Sequence, residues 1–309
     1  MQVFYCDTFD FPLPAGHRFP LAKFRLLRER IEQAAWQPAL RLAIAPAVPE
    51  RDLLRAHDPD YVRRLFRGQM TEAEMRRIGF PWSAALVERA RRSVGATLAA
   101  CRAALQDGVS ASLAGGTHHA GPDWGEGYCL FNDSIVSLRT LQAEGRLGRA
   151  LILDCDVHQG NGTAALAAGD PTLFTFSIHG ARNFPLRKFP SDLDVELPDG
   201  ADDELYLTRL QQGVTEALER AQADFALYLA GADPFVGDRL GRLAVSKAGL
   251  AARDRWVLET CRSRGLPVAI TMAGGYARHL PDTVEIQFNT VRTAWELRYG
   301  LHEAGEGRR

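Results

Sequence analysis

Three side chains in the second half of the chain have the chemistry of a metal site. Asp156-Val157-His158 places a carboxylate and an imidazole two residues apart, and in an extended chain such residues point to the same side. Asp233, in the segment Gly-Ala-Asp-Pro, can supply a third ligand. Two carboxylates and one imidazole with an open fourth position suit catalytic Zn²⁺, and the same donors also accept Fe²⁺. Taken singly, each residue also fits a structural role: a turn cap, a core histidine, and a helix N-cap before proline.

Adjacent histidines occupy a glycine-rich segment near the middle of the chain. The segment GGTHHAG at 115–121 can direct the imidazoles of His118 and His119 into one cavity, and its glycines allow tight turns near a ligand. Amide hydrolysis needs a base that takes a proton from water and an acid that protonates the leaving amine. Histidine suits both tasks because its reference pKa lies near neutrality. The alternative is a surface pair without function.

Aromatic residues can add an oxyanion donor and an apolar wall to this set. Tyr276 ends the segment GGY at 274–276, and its hydroxyl can donate to the oxyanion of a tetrahedral intermediate. Trp124, Tyr128 and Phe184 can form an apolar channel for an acyl chain. Each of these aromatic residues is also typical of ordinary core packing.

Short apolar runs alternate with amphipathic helical patterns, which indicates an α/β fold with a parallel sheet. The runs are apolar almost throughout, as expected of strands that are buried on both faces. The predicted strands are Val3–Cys6, Ala150–Leu153, Leu173–Ser177, Phe225–Ala230 and Val268–Met272. The predicted helices are 86–105, Asp202–Arg220, Ala248–Arg264 and Pro281–Arg298.

The polar motifs follow the predicted strands at their carboxyl ends. Asp154–His158, Ser177–His179, Gly231–Asp233 and Gly274–Tyr276 each come directly after one of the apolar runs. Ligands bind at this edge of open α/β sheets, so the sequence predicts that four separate segments converge on one site.

Composition sets the class of protein. The 309 residues are 46% apolar and 24% charged with a formal net charge of −1, so nothing global points to a nucleic-acid or membrane partner. No linker, repeat or low-complexity tract divides the chain, which favours a single domain over 1–309 that ends in a frayed tail. Five cysteines without a CxxC pair, no signal peptide and no membrane-length apolar run favour a cytoplasmic protein with free buried thiols.

In chain order, the motifs resemble the zinc-dependent histone deacetylases, which share the arginase–deacetylase fold. The matching segments are GGTHHAG at 115–121, GYC at 127–129, LDCDVHQGNG at 153–162, SIH at 177–179, AGADPFVGDRLGRL at 230–243 and AGGY at 273–276. His17, Phe19-Pro20 and HDPDYV at 57–62 extend the resemblance into the N-terminal third. HQGNG and GDRLGRL look most like the class IV branch and its bacterial relatives. The resemblance implies a parallel sheet flanked by helices on both faces.

The resemblance also implies a catalytic centre of six residues with zinc as its cofactor. The implied zinc ligands are Asp156, His158 and Asp233, the acid/base pair is His118 and His119, and the oxyanion-stabilising tyrosine is Tyr276. Which of the two histidines acts as the base stays open.

Two further residues correspond to the partners of the histidine pair. Asp154 matches the carboxylate that orients His118. Asn161 stands where class I enzymes carry an aspartate beside the second histidine. An amide cannot stabilise an imidazolium as a carboxylate does, so we expect His119 to be less basic than in those enzymes.

Substrate and cation sites are implied in the same way. Gly127 matches the position whose carbonyl accepts from the substrate amide, Tyr128 replaces a tunnel phenylalanine, and Phe184 belongs to the same wall. The family's site for K⁺ or Na⁺ corresponds to Asp154, Asp156, His158, Ser177 and Ile178. The class I aspartate that grips the peptide backbone has no counterpart between 63 and 80. Basic residues at 182, 187 and 188 either attract an acidic substrate group or belong to a solvated loop.

These observations predict zinc-dependent hydrolysis of an acyl amide, on an acylated lysine in a peptide or protein or on a small acylated amine such as an acetylpolyamine. An arginase-like ureohydrolase would need Asp-x-His-x-Asp, but Gly160 occupies the last position. A non-catalytic acyl-lysine binding module is the alternative from a different class. Oligomeric state is not predicted.

Overall fold

A parallel sheet lies at the centre of the structure, a computed structural model that describes residues 1–300. Its strands are β1 (Gln2–Tyr5), β2 (Arg41–Ile44), β3 (Val109–Ser112), β4 (Ala150–Asp154), β5 (Leu173–Gly180), β6 (Leu193–Leu197), β7 (Phe225–Leu229) and β8 (Val268–Thr271). The order across the sheet is β2-β1-β3-β8-β7-β4-β5-β6, and every neighbouring pair is parallel. All carboxyl ends therefore meet at one edge.

Helices cover both faces of the sheet. They are α1 (Ala22–Gln33), α2 (Glu50–Leu53), α3 (Pro59–Arg67), α4 (Glu72–Ile78), α5 (Ala84–Asp107), α6 (Asp133–Ala143), α7 (Asn161–Ala167), α8 (Asp203–Ala221), α9 (Lys247–Ser263) and α10 (Leu280–Tyr299). One face is covered by α1, α8, α9 and α10, and the other by α5, α6 and α7 with α2 to α4 outside them.

Side-chain alternation along β4 explains why two cores form. All five residues of this strand are buried. Leu151 and Leu153 belong to the core under α8 to α10, whereas Ala150 and Ile152 belong to the core under α5 and α6. Successive strand residues point to opposite faces, so an unbroken apolar run is what a strand between two helical layers requires.

The predicted α/β fold with a parallel sheet flanked by helices is confirmed, with two differences. Ser177–His179 do not follow a strand but lie inside β5, because pairing with β6 extends the ladder to Gly180. Three strands were not predicted. β3 reads VSAS, which lacks large apolar side chains, and β2 and β6 lie at the sheet edges, where exposed residues interrupt the apolar pattern.

Two expectations from the sequence, on the cysteines and on membrane-spanning helices, can be compared with the structure. All five cysteines are buried and free, at positions 6, 101, 129, 155 and 261. Within residues 1–300, no helix combines the length and the apolar character needed to cross a bilayer. The predicted tail at 301–309 lies outside the described residues.

Helix α5 approaches the segment after β2 more closely than most side chains would permit. A Cβ atom built on Gly95 would lie 1.8 Å from the carbonyl oxygen of Pro46. The helix extends from Ala84 to Asp107 and carries the core contacts of one face of the sheet, so this glycine sets how closely the helix packs.

We predict that Gly95→Ala lowers the free energy of unfolding by at least about 1 kcal/mol, although alanine favours a helix over glycine by about that amount. The added methyl group must push the helix away from Pro46. Urea denaturation measures the effect. Gln212→Ala, at an exposed position of α8, introduces an alanine without a packing contact and should change the free energy of unfolding by less than about 0.5 kcal/mol. A Gly95→Ala variant that is as stable as the wild type, or more stable, would contradict the prediction.

Candidate active site

The histidine pair lies on a loop that one buried carboxylate holds in place. Asp133, the first residue of α6, accepts from the backbone N–H groups of Gly116 and Thr117 at 3.0 and 2.7 Å. It also accepts from the hydroxyls of Thr117 and Thr97, each at 2.6 Å. These four bonds fix the loop that follows β3 against helices α5 and α6, directly before His118.

Three ligand atoms from two neighbouring strand ends lie together beside this loop. Asp156 and His158 follow β4, and Asp233 follows β7, which pairs with β4. His158 Nδ1 lies 2.9 Å from Asp156 Oδ1 and 3.4 Å from Asp233 Oδ2. One ligand atom from each residue falls within 4.8 Å of the other two, which is the arrangement of a three-ligand metal site.

Backbone N–H groups hold the two carboxylates of this cluster. Val157 N donates to Asp233 Oδ1 at 2.9 Å, and Gly274 N donates to Asp156 Oδ2 at 2.7 Å. Asp233 Oδ2 is buried without a hydrogen-bond partner. Burial and the neighbouring Asp156 carboxylate raise the pKa of Asp233 to about 7. An unpartnered buried oxygen in a pair of crowded carboxylates fits a bound cation, so the residues present suit a divalent metal ion.

The first histidine of the pair has a carboxylate partner. His118 Nδ1 lies 2.6 Å from Asp154 Oδ2, and its Nε2 is 3.8 Å from Asp156 Oδ1. Burial opposes the charged form of His118, but Asp154 and Asp156 outweigh it and raise its pKa to about 9. The structure therefore places Asp154 where it orients His118.

The second histidine has an amide partner instead. His119 Nδ1 lies 2.7 Å from Asn161 Oδ1, and the His118 and His119 ring centroids are 4.2 Å apart. Burial, reinforced by the neighbouring His118 and His158 rings, lowers the pKa of His119 well below its ordinary value. Adjacent histidines of the same loop thus differ in the direction of their pKa shifts.

Tyr276 also lines the cavity and lies in the middle of the loop between β8 and α10. Its backbone N–H donates to Asp238 Oδ2 at 2.6 Å. The buried ammonium of Lys23 lies 5.1 Å from the centre of its ring and 3.3 Å from the carbonyl oxygen of Ala273. Burial lowers the pKa of Lys23 to about 8, although Asp233 and Asp156 oppose that shift. Sequence analysis did not identify Lys23, whose contacts link residues about 250 positions apart.

These groups open into a cavity of about 580 Å³. Gly127, Tyr128 and Phe184 line it as predicted, and the Phe184 ring centre lies 4.9 Å from that of His119. Gly127 has a φ of 56°, and a Cβ there would lie 2.5 Å from the ring of His119. Glycine therefore lets the backbone pass directly beside the imidazole.

Other predicted wall residues lie elsewhere. Trp124 does not line the cavity but stacks on Phe189, with ring centres 5.8 Å apart. Lys188 bonds carbonyl oxygens of its own loop, and Arg187 lies over the Phe189 ring, so of the three predicted basic residues only Arg182 lines the cavity. Four further arginines in the wall were not identified from sequence; they are Arg76, Arg77, Arg89 and Arg242.

The residues of the expected monovalent-cation site also lie close together in the sheet. Asp154 is the last residue of β4 and pairs with Ser177 of β5, with Ile178 next along that strand. Asp156 and His158 follow two and four residues after Asp154. The Ser177 hydroxyl lies 2.9 Å from His179 Nδ1.

Comparison with known proteins agrees with this geometry. Residues 17–291 match the family model of the histone deacetylase domain. An uncharacterised protein of Picosynechococcus sp. is 45% identical over 284 residues, which cover 91% of this chain and 94% of that protein. A histone deacetylase-like amidohydrolase of Pseudomonas aeruginosa is 28% identical, covering 86% of this chain and 74% of that protein. A solved histone deacetylase homologue from Aquifex aeolicus has a TM-score of 0.80 at 20% identity, covering 97% of this chain and 84% of that one.

The chain therefore belongs to the histone deacetylase family, and its fold is the arginase–deacetylase fold of that family.

A buried histidine at the start of the HDPDYV segment supports the loop of the histidine pair from behind. His57 Nδ1 lies 2.8 Å from the Gly121 carbonyl oxygen, and the Asn132 backbone N–H donates to its Nε2 at 2.9 Å. Nδ1 must therefore carry the proton, and Nε2 must be bare. Burial lowers the pKa of His57 to about 4, because the charged imidazolium would be desolvated.

We predict that His57 makes folding pH-dependent. Its pKa is lower in the folded state than in the unfolded chain, so its contribution is complete above about pH 6.5 and is lost as pH falls toward about 4. Compared with His57→Asn, the wild type should lose up to about 3 kcal/mol of unfolding free energy across that range. Denaturant titrations at several pH values measure this difference, and a pH-independent difference would contradict the prediction.

We also predict that Gly274→Ala weakens metal binding. A Cβ at this position would lie 1.8 Å from Asp233 Oδ2 and 2.5 Å from Asp156 Oδ2, so two ligands must move. The expected loss of Zn²⁺ affinity is about 10- to 100-fold, the scale of a disturbed metal environment. Competition with a chromophoric chelator measures it, with circular dichroism as the folding control. Unchanged affinity would show that the ligand cluster tolerates the shift.

Proposed function

We propose that this chain is a metal-dependent amidohydrolase that removes the acyl group from an acylated lysine or a related acylated amine. The observation that carries this proposal is that Asp156 and His158 of the buried ligand cluster line one cavity together with both histidines of the pair and Tyr276. Membership of the histone deacetylase family supports it, as does the name of the Pseudomonas relative, a histone deacetylase-like amidohydrolase.

Asp156, His158 and Asp233 would hold the metal ion, with zinc preferred and Fe²⁺ as the alternative that the same oxygen and nitrogen donors accept. When bound, the ion would act as a Lewis acid toward the acyl carbonyl and make a neighbouring water more acidic.

The histidine pair would divide the proton transfers. His119 donates through Nδ1 to Asn161, which leaves Nε2 free to accept a proton from the attacking water. His118, paired with Asp154, keeps its proton on Nε2 until it passes to the nitrogen of the leaving amine. The hydroxyl of Tyr276 would donate to the oxyanion that forms between these two steps.

Charge in the cavity wall favours acyl-lysine over an acetylpolyamine. Among the described residues that line the cavity, Asp156 is the only carboxylate, and it belongs to the ligand cluster. The wall instead carries five arginines, Arg76, Arg77, Arg89, Arg182 and Arg242. The free ammonium ions of a polyamine would find no carboxylate in this described wall outside the ligand cluster, and guanidinium groups repel them. An acyl-lysine in a neutral or acidic peptide meets no such repulsion.

Further assignments belong to the same proposal. We assign the whole chain to one catalytic domain and, on the HQGNG and GDRLGRL segments, to the class IV branch. A K⁺ or Na⁺ ion would be held beside the metal cluster by Asp154, Asp156, His158, Ser177 and Ile178.

We predict acyl release from acyl-lysine peptides by the zinc-loaded protein and none by Asp156→Ala. The panel carries acyl groups from acetyl to myristoyl, and N-acetylspermidine tests the polyamine alternative. Turnover of the polyamine alone would overturn the substrate assignment. No acyl release from any member, with zinc bound at one ion per chain, would overturn the proposed activity.

Tyr276→Phe should lower kcat by about 100-fold, the scale of one lost oxyanion donor, while zinc content stays at the wild-type level. The phenyl ring keeps the packing against Tyr128, whose ring centre lies 6.0 Å away, so the fold should be unaffected. Steady-state kinetics on the preferred peptide measure the change. A kcat equal to that of the wild type would remove the tyrosine from the mechanism.

A further inference from the structure

A buried glutamate lies behind the second histidine, outside the proposed catalytic set. Glu126 is 8% exposed. Its Oε1 accepts from the side-chain amide of Asn161, and its Oε2 accepts from Arg77 Nε at 2.9 Å. A chain of contacts therefore runs from the end of α4 through Glu126 and Asn161 to His119.

The charge of this glutamate is compensated within the same group of residues. Burying a carboxylate is costly unless it is paired and hydrogen-bonded. Arg77 supplies the opposite charge, and its guanidinium lies 5.6 Å from the centre of the Trp124 ring. The same segment is fixed to the cavity wall, because Gly127 N donates to the Arg77 carbonyl oxygen at 3.3 Å.

The carboxylate determines which way the Asn161 amide points. A carboxylate only accepts hydrogen bonds, so the Asn161 NH₂ group must face Glu126 and its Oδ1 must face His119. Oδ1 in turn only accepts, so His119 Nδ1 must carry the ring proton and Nε2 must be bare. The reversed amide would direct N–H groups at His119 and an oxygen at the Glu126 carboxylate.

We propose that Glu126, held by Arg77, is a positioning residue that fixes the orientation of the Asn161 amide and thereby the tautomer of His119. This inference rests on the proposed function, in which His119 Nε2 takes the proton from water. It gives the asparagine at position 161 a directional role that asparagine alone would lack, since a free amide can rotate to match either tautomer.

Glu126→Gln separates this role from packing, because it keeps the shape and removes the acceptor-only character. The carbonyl of the introduced glutamine can accept from Arg77, which directs its NH₂ group at Asn161 and favours the reversed amide. We expect kcat to fall about 10- to 100-fold with little change in KM, the scale of a lost orienting partner. Glu72→Gln, an exposed glutamate of α4 paired with Arg76, is the matched control and should keep the wild-type kcat.

Nitrogen-15 NMR of histidine-labelled, zinc-loaded protein reads the tautomer directly. In the wild type, His119 should show a protonated Nδ1 and a bare Nε2. In Glu126→Gln, the signals should move toward the opposite tautomer, with the thermal transition used to verify folding. An Nδ1-protonated His119 in Glu126→Gln together with wild-type kcat would overturn the proposal.

Asn161→Asp provides a second test that does not depend on how well Glu126→Gln folds. Alone, it sets two carboxylates against each other at positions 161 and 126 and should lower kcat. In the double variant Glu126→Gln/Asn161→Asp, the amide at position 126 can donate to the carboxylate at position 161, and His119 again has an acceptor at Nδ1. Recovery of kcat and of the wild-type tautomer in the double variant supports the proposal. If the fold-losses of kcat in the two single variants multiply in the double variant, the proposal is contradicted.

Failure of this inference can be told apart from failure of the proposed function. If the wild type hydrolyses no amide, the proposed function is wrong, whereas the NMR signals of His119 still decide whether Glu126 fixes its tautomer. If the wild type is active and neither kcat nor the His119 tautomer changes in Glu126→Gln, only the positioning role is wrong.

Discussion

Two carboxylates buried side by side at the carboxyl edge of the sheet, those of Asp156 and Asp233, are the constraint on which the site depends. Such a pair is unfavourable unless hydrogen bonds and a positive charge offset the repulsion. The backbone N–H groups of Val157 and Gly274 supply part of this compensation, and each comes from a different strand end. Since β8, β7 and β4 are neighbours in the sheet, the parallel register itself brings donors and acceptors to one point.

The histidine pair shows how two identical side chains acquire different properties from their surroundings. Both imidazoles are buried on one loop, yet Asp154 faces the first and Asn161 the second. A full negative charge stabilises the imidazolium, whereas an amide dipole does not compensate for its desolvation. The acid and base tasks that we propose for this pair, which need opposite protonation states, thereby fall on neighbouring positions.

Much of this arrangement follows from local sequence. The apolar runs before Asp156, Asp233 and Tyr276 predicted that these residues would meet at one sheet edge, and the structure brings them together. Contacts between distant segments were not predicted, because no local sequence pattern indicates them. Lys23 belongs to an ordinary-looking amphipathic helix, and Glu126 looks like one polar residue of a glycine-rich turn.

Two expectations that the sequence left open are decided by physical features of the structure. Trp124 has the size and polarity of a channel residue, but its ring stacks on Phe189, and the guanidinium of Arg77 lies 5.6 Å from its centre. Lys188 is basic and close to the mouth in sequence, yet its ammonium bonds the carbonyl oxygens of its own loop. Side-chain direction, rather than residue type, decides both cases.

The four hydrogen bonds to Asp133 divide the site into a part that is held and a part that is free to vary. The loop before His118 cannot shift without breaking bonds to helix α6, so the two histidines keep one arrangement whichever substrate binds. At the rim, side chains extend into solvent: Leu186 is 97% exposed and Phe184 is 40% exposed. Substitutions there leave the bonds beneath intact. Under the proposed function, mutation and selection can therefore change which acylated partner this scaffold accepts while the hydrolytic chemistry is inherited unaltered.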